Sequence, residues 1–189
     1  MILPDIYENF VSRDMCDYLN KSLSQFAPVD SNGYSNIYVA KTSVDPTEEY
    51  YFNQFNKNNP EEVMLRDTVN LIQQSASALF GFQKNDMTVD RINYRTFKDG
   101  QFFHYHIDQC GEGGTIYTAL LYLNDDYQGG ELVFYDAELG QSGPSESYIP
   151  KTGTLLCFKG DYTSPHEVLP VISGVRANIA MNFRFWEKK

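Results

Sequence analysis

The second half of the chain, from about Met87 onward, is a succession of short apolar segments separated by turn residues. Clusters rich in Gly, Pro, Asn and Asp stand between them, namely NDDYQGG, GQSGPSES and KGDYTSP, and such clusters are typical of turns. So many short strands favour two packed β-sheets, as in a β-sandwich or jelly roll. The segments are MTVDRINYRTF, QFFHYHI, TIYTALLYLN, GELVFYD, GTLLCF, HEVLPV and VRANIAMNFRFW.

The first third of the chain predicts two helices. One begins near Ser12 and runs through MCDYLNKSLSQF. In the other, NNPEEVMLRDTVNLIQQSASALFG, Asn59 is suited to cap the helix, Pro60 to its first position and Gly81 to its end. Its apolar residues recur at helical spacing, at Leu65, Val69, Ile72, Ala76 and Leu79. The intervening segment, YSNIYVAKTSVDPTEEYYFNQFNKNN, is interpreted as a strand followed by a long loop rich in aromatic residues.

A chain of 189 residues with 42% hydrophobic residues is long enough for one sizeable core. We therefore predict a single domain, 1–189, that is mostly β with flanking helices (α+β). Residues from about 1 to 85 form a helical support, and residues from about 86 to 189 form a jelly-roll core packed on it.

The net charge of −10 argues against nucleic acid or an anionic membrane as a partner, because both require basic surfaces and the sequence has no basic stripe. The three cysteines are odd in number and widely spaced, which favours reduced, buried thiols in a cytoplasmic protein and gives them no chemistry. We also expect a soluble chain without a signal peptide, because the start lacks a basic region followed by a long apolar run.

Two of the three histidines, His104 and His106, lie two residues apart, and Asp108 follows two residues later. In an extended segment these side chains would share one face. His166 stands after a turn at the head of a later strand, where a jelly roll could return it to the first pair. Two imidazoles and one carboxylate form the facial triad of non-haem Fe(II) oxygenases, which leaves coordination positions open for a cosubstrate and oxygen.

Three segments carry a resemblance to a known family: FKDGQFFHYHID, TALLYLNDDYQGGELVFYD and IPKTGTLLCFKGDYTSPHEVLPVISGVRANIAMNF. Over residues 90–186 the chain resembles the Fe(II)/2-oxoglutarate-dependent dioxygenases of the prolyl 4-hydroxylase type. The resemblance implies a double-stranded β-helix core, which is a cupin-like jelly roll. It also implies Fe(II) bound by His106, Asp108 and His166, with 2-oxoglutarate chelating the metal.

The resemblance further implies a basic residue that binds the distal carboxylate of 2-oxoglutarate, and Arg176 stands at the matching position. Tyr122 matches a tyrosine that contacts the same carboxylate. Thr118 shares the strand face of Tyr122 and is a further candidate for a polar contact to the cosubstrate. Phe97 stands where many relatives have a tyrosine, and Tyr94 is the candidate to replace it as a cosubstrate contact. His104 has no counterpart among the family ligands, so we expect it to lie near the metal or the substrate without binding the metal.

The implied reaction uses Fe(II), 2-oxoglutarate and O2, with ascorbate as an auxiliary reductant, and releases succinate and CO2. The substrate that the resemblance favours is proline in a peptide or protein. Two alternatives remain open: hydroxylation of a free amino acid or other small molecule, and a non-catalytic jelly roll that binds a metal or ligand. Two loops are candidate lids over the site, the aromatic loop from Tyr34 to Phe52 and the loop with Gly111, Gly113 and Gly114.

Overall fold

A computed structural model describes residues 3–25, 35–40, 58–80, 87–109 and 115–185. Within these residues two helices accompany a series of short strands, so the chain is mostly β, as predicted. The elements are β1 (Asp5–Tyr7), α1 (Arg13–Ser24), β2 (Ser35–Ala40), α2 (Pro60–Leu79), β3 (Met87–Phe97), β4 (Phe103–His106), β5 (Tyr117–Tyr122), β6 (Gln128–Gly129), β7 (Leu132–Asp136), β8 (Gly140–Tyr148), β9 (Leu155–Lys159), β10 (His166–Val168), β11 (Val171–Ser173) and β12 (Arg176–Phe185).

The strands form a larger sheet of six strands and a smaller sheet of four, with a short two-stranded ribbon beside them. The larger sheet has the order β1-β9-β5-β12-β3-β2, the smaller sheet has the order β4-β10-β7-β8, and β11 pairs with β6. All of these pairs are antiparallel. The N-terminal region contributes both edge strands of the larger sheet, β1 and β2, in addition to the two helices.

The central strands of the larger sheet are buried on both faces, and β5 shows how the sequence achieves this. Ala119 and Leu121 belong to the core that contains buried residues of both helices, whereas Leu120 and Tyr122 belong to the core between the two sheets. Alternate side chains of a strand point to opposite faces, so a strand with two buried faces needs a nearly continuous apolar run. The segment TALLYL is such a run.

The two helices begin where the sequence predicts. The Ser12 side chain accepts a hydrogen bond from the Met15 amide (3.3 Å), and the Asn59 side chain accepts one from the Glu61 amide (3.0 Å). The predicted apolar stripe of α2 is buried except for Leu79 in the last turn, which is 38% exposed. Neither helix in the described ranges is both long and apolar enough to cross a membrane.

Two segments differ from the sequence interpretation. GQSGPSES, predicted to be a turn, forms most of β8, an exposed strand that pairs with β7 at the edge of the smaller sheet as the structure describes it. An edge strand with both faces in solvent needs no apolar residues and tolerates Pro144, so its sequence resembles that of a loop. HEVLPV, predicted to be one strand, supplies β10 to the smaller sheet and the start of β11 to the ribbon, because Leu169 and Pro170 interrupt it.

Candidate active site

A cavity lies between the larger and smaller sheets and contains most of the predicted site residues. Strands of both sheets line it, so its walls depend on how the two sheets pack. It is lined by Arg95, Phe97, Phe103, His106, Asp108, Thr118, Leu120, Leu132, Phe158, His166, Val168, Arg176, Asn178 and Asn182. Its two polar ends differ in chemistry, one with histidines and a carboxylate and the other with an arginine.

The first polar end is a cluster of His106, Asp108 and His166. His106 and His166 are direct partners in the β4–β10 pair, and their ring centroids are 4.3 Å apart. One ligand-type atom from each of the three side chains lies within 4.8 Å of the others. The structure therefore brings together the three residues that the sequence analysis singled out, from two strands far apart in the chain.

Both imidazoles of this cluster are oriented by backbone carbonyls. His106 Nδ1 donates to the His104 carbonyl (2.6 Å), and His166 Nδ1 donates to the Ser164 carbonyl (3.0 Å). Because Nδ1 carries the proton in each ring, Nε2 keeps its lone pair. The Nε2 atom of His106 lies 3.5 Å from Asp108 Oδ1. This is the tautomer and orientation that a metal-binding histidine requires.

A bulge in β4 separates His104 from the cluster. Phe103 pairs with Val168 and His106 with His166, so β4 has one more residue than β10 over this stretch. As a result Phe103 and His106 both line the cavity, while the His104 side chain is exposed and contacts Phe102, with ring centroids 4.6 Å apart. The expectation that His104 shares a face with the other two residues is wrong, because the bulge breaks the alternation.

Asp108 lies two residues beyond the end of β4, and its carboxylate has two different neighbours. Oδ1 faces His106, while Oδ2 accepts a hydrogen bond from the Thr118 hydroxyl. Thr118 in turn accepts a hydrogen bond from Asn182 Nδ2 (3.1 Å). The structure thus corrects the expected role of Thr118: its hydroxyl proton is committed to Asp108 and is not available to a cosubstrate.

The protonation states of the cluster suit a divalent metal. Burial opposes ionisation of Asp108, but the neighbouring His106, His166 and Thr118 side chains outweigh burial and lower the pKa of Asp108 well below its usual range. Burial lowers the pKa of His166 to about 4, against the opposing effect of Asp108. At neutral pH the cluster therefore offers an ionised carboxylate and a neutral His166 imidazole, the forms that bind metals.

The second polar end of the cavity is formed by Arg176, which is only 1% exposed. Its guanidinium donates to the Tyr122 hydroxyl (2.9 Å) and to Asn178 Oδ1 (3.1 Å). It also lies 5.0 Å from the ring centroids of both Phe97 and Tyr122. Within the described ranges no carboxylate lies within 4.0 Å of it, and its Nε has no hydrogen-bond partner. A buried cation of this kind favours an anionic ligand.

Tyr94 does not reach the cavity. It packs in the core on the helix side of the larger sheet, and its hydroxyl donates to Asn20 Oδ1 of α1 (2.7 Å). The expectation that Tyr94 replaces the usual tyrosine is therefore wrong. Phe97, three residues later, lies on the cavity face, because side chains an odd number apart in a regular strand point to opposite faces.

Several residues of the cavity wall were not predicted from the sequence. Arg95 shares the cavity face of β3 with Phe97, and its guanidinium carbon lies 5.7 Å from the Phe103 ring centroid. Asn178 and Asn182 follow Arg176 along β12 on the same face. The signal that could have found them is alternation in steps of two, counted from Phe97 on β3 and from Arg176 on β12.

Some expectations fall on residues outside the described ranges. The loop with Gly111, Gly113 and Gly114 is one of them, and so is the aromatic loop from Tyr34 to Phe52 apart from β2. Cys16 and Cys157, in contrast, are described and buried, as expected. Burial raises the pKa of the Cys16 thiol to about 11 and that of Cys157 to about 12, which makes both unreactive at neutral pH.

Two curated relatives are similar to the chain. Human prolyl 3-hydroxylase 2 is 39% identical over 67 residues, which are 35% of this chain but only 9% of the human protein. A PKHD-type hydroxylase of Shewanella sp. (strain ANA-3) is 27% identical over 176 residues, which cover 89% of this chain and 72% of that protein.

Two solved structures share the fold over nearly the whole chain. The viral collagen prolyl hydroxylase of Paramecium Bursaria Chlorella virus-1, in complex with 2-oxoglutarate, has a TM-score of 0.65 at 17% identity, covering 98% of this chain and 97% of that one. The prolyl hydroxylase of Trichoplax adhaerens, in complex with a hypoxia inducible factor peptide fragment, has a TM-score of 0.69 at 17% identity, covering 96% and 83%. These likenesses show that the chain has a double-stranded β-helix fold.

The family model of the 2OG-Fe(II) oxygenase superfamily matches residues 91–184. That segment contains the whole candidate metal cluster together with Tyr122 and Arg176. By this match and by its fold, the chain belongs to the 2OG-Fe(II) oxygenase superfamily.

Proposed function

We propose that the chain is an Fe(II)- and 2-oxoglutarate-dependent dioxygenase that hydroxylates proline in a peptide or protein substrate. One observation carries the proposal: a single cavity has a His-Asp-His cluster at one polar end and, at the other, a buried arginine with no acidic neighbour among the described residues. The first suits a divalent metal and the second suits a dicarboxylate that reaches towards the metal.

Fe(II) would be held by His106, Asp108 and His166. The residues fit the ion, because each imidazole presents Nε2 and the carboxylate is ionised. When bound, the iron supplies the oxidation of a substrate C–H bond by O2, coupled to conversion of 2-oxoglutarate to succinate and CO2. Three ligands from the protein leave positions open for the cosubstrate and O2.

Arg176 and Tyr122 would bind the carboxylate of 2-oxoglutarate that is remote from the metal. The guanidinium is planar and offers paired donors, which matches the geometry of a carboxylate. The Phe97 and Tyr122 rings beside it keep water away from the guanidinium, and a charge-assisted hydrogen bond is stronger where water is excluded. At the arginine end the protein would therefore orient the cosubstrate and exclude water from the contact between the guanidinium and the carboxylate.

A prolyl substrate is supported by the names of the relatives and by the cavity wall beside the histidines. Phe103 contacts His106 and Phe158 contacts His166, with ring centroids 4.5 Å and 4.8 Å apart. Such apolar surfaces suit the ring of proline better than a charged group. The net charge of −10 disfavours a nucleic-acid substrate, because nucleic acids are themselves negatively charged. A cytoplasmic location, based on the cysteines, remains a prediction.

The test is a turnover assay with Fe(II), 2-oxoglutarate, ascorbate and a panel of proline-containing peptides, with free proline in parallel. We expect mass spectrometry to show one added oxygen in a peptide, together with a stoichiometric amount of succinate. Peptides that carry deuterium at C3 or at C4 of proline then identify the position, because hydroxylation replaces one deuterium at the carbon attacked.

The variant Asp108→Ala is the matched control for adventitious iron oxidation in this assay. Turnover of free proline alone would favour the small-molecule alternative. If the wild type forms no succinate with any substrate but still binds Fe(II), the non-catalytic binding module would be favoured.

A further inference from the structure

A chain of hydrogen bonds joins Asp108 of the candidate metal cluster to two strands of the larger sheet. Asp108 Oδ2 accepts from the Thr118 hydroxyl, and Thr118 Oγ1 accepts from Asn182 Nδ2 (3.1 Å). Thr118 on β5 and Asn182 on β12 are direct cross-strand partners. Thr118 and Asn182 are 2% and 3% exposed, so these hydrogen bonds are shielded from solvent.

The direction of each hydrogen bond in this chain follows from elementary chemistry. An ionised carboxylate only accepts, so Thr118 must donate its single hydroxyl proton to Asp108. The remaining contact of Thr118 must then be one in which its oxygen accepts, and only the amide NH₂ of Asn182 can donate. The orientation of the Asn182 amide is thereby fixed, and its Oδ1 is buried without a hydrogen-bond partner in the described residues.

We infer that Thr118 and Asn182 are positioning residues that hold Asp108 as a single-oxygen ligand of the metal, an inference that rests on the proposed function. Oδ1 faces His106 Nε2 at 3.5 Å, whereas Oδ2 is directed towards β5 and engaged there. A carboxylate that bound through both oxygens would occupy a position that 2-oxoglutarate or O2 needs. Thr118 prevents this by competing for the second oxygen.

Asn182 acts one step further from the metal. Without its NH₂ group the Thr118 hydroxyl could rotate, because a hydroxyl with one partner has several staggered orientations. When the Asn182 NH₂ group is present, the Thr118 hydroxyl can bond both neighbours only if it directs its proton to Asp108. Hydrogen-bond partners of a metal ligand, such as Thr118 here, set the orientation and the basicity of that ligand, and Asn182 in turn orients Thr118.

The test uses Co(II), which needs no O2 or substrate and reports its coordination through its visible spectrum. We expect Thr118→Val, which removes the hydroxyl but keeps the branched shape, to weaken Co(II) binding about 10-fold to 100-fold and to alter the spectrum. Thr118→Ser keeps the hydroxyl and should restore both. Asn182→Leu should move both readouts in the same direction as Thr118→Val, by a smaller factor.

The matched control is Thr96→Val, which removes a buried threonine hydroxyl from the neighbouring strand β3, where Thr96 is 7% exposed. It should leave Co(II) affinity and spectrum unchanged, and thermal unfolding of each metal-free variant checks that it folds.

Wild-type affinity and spectrum in Thr118→Val, or failure of Thr118→Ser to restore them, would overturn the inference and leave the proposed function standing. If Thr118→Val does not fold, an unchanged Asn182→Leu overturns it instead. A wild type that does not bind Co(II) overturns the proposed metal centre itself.

Discussion

The two polar ends of the cavity are built on different kinds of backbone. At the metal end the three residues stand where regular structure stops: His106 is the last residue of β4 beyond a bulge, Asp108 follows the strand, and His166 is the first residue of β10. At the arginine end, Asn178 and Tyr122 are direct partners in the regular β12–β5 ladder, and Arg176 pairs with Phe97 on β3. The metal end therefore depends on strand ends and a bulge, whereas the arginine end depends on regular strand register.

The two ends also differ in whether their polar and charged groups have matching partners within the protein. The groups of the metal end have partners in the protein: carbonyls for both imidazoles and a hydroxyl for the carboxylate. Arg176 has neutral acceptors but no anion within the described part of the chain. Substitutions at the metal end should therefore remove a preformed site, whereas those at the arginine end should weaken the binding of a ligand that completes it.

The largest effect is expected at the metal end. His106→Ala removes one imidazole from the candidate metal site and should reduce 2-oxoglutarate-dependent succinate formation to background while leaving a folded protein. The matched control is His104→Ala, two residues away, which should keep most of the activity because the His104 side chain is exposed and contributes only its carbonyl. The measurement is succinate released with Fe(II) saturating. Full activity in His106→Ala would remove that residue from the site.

At the arginine end we expect a large effect confined to the cosubstrate. Arg176→Met forfeits a charge-assisted pair of about 1.5–3 kcal/mol, so the apparent KM for 2-oxoglutarate should rise roughly tenfold to a hundredfold. Arg176→Lys should be milder, because it keeps the charge but loses the planar donor pair. Co(II) affinity without cosubstrate should not change. Arg95→Met is the matched control, and a larger KM effect there would transfer the role to Arg95.

A smaller effect is expected for the neutral partner of Arg176. Tyr122→Phe removes one hydroxyl, worth about 0.5–1.5 kcal/mol, and should raise the KM for 2-oxoglutarate about twofold to tenfold. The same titration of succinate formation measures it. A change in Co(II) affinity instead would show that the two ends of the cavity are energetically coupled and do not bind their ligands independently.

The local part of the fold and of the site could be predicted from the sequence. Caps at Ser12 and Asn59 fixed the helix starts, and the apolar runs of β3, β5, β7, β9 and β12 identified the strands. The pattern of His106, Asp108 and His166 pointed to a cluster that the structure brings together. In each case the determining residues are neighbours in sequence, or stand at the ends of strands.

The remainder depends on facts that are not local. Whether Tyr94 or Phe97 faces the cavity follows from which face of β3 packs on the helices, and that is decided by strands more than twenty residues away. The bulge that turns His104 outwards is visible only in the pairing of β4 with β10. The polar edge strand β8 carries no apolar signal, because neither of its faces is buried.

The smallest predicted effect tests the assignment of Tyr94 to the helix-side core. Tyr94→Phe should leave the KM for 2-oxoglutarate unchanged, in contrast to Tyr122→Phe, because its hydroxyl contacts Asn20 on the opposite face of the sheet. Burial raises the pKa of Tyr94 to about 12, so the hydroxyl remains a donor at neutral pH and its loss leaves Asn20 without this partner. The expected cost is about 1 kcal/mol, which corresponds to about 2–4 °C in Tm for a chain of this size. Asn20→Leu combined with Tyr94→Phe should cost less than the sum of the two single changes, because both remove the same hydrogen bond. A raised KM in Tyr94→Phe would return this tyrosine to the cosubstrate site.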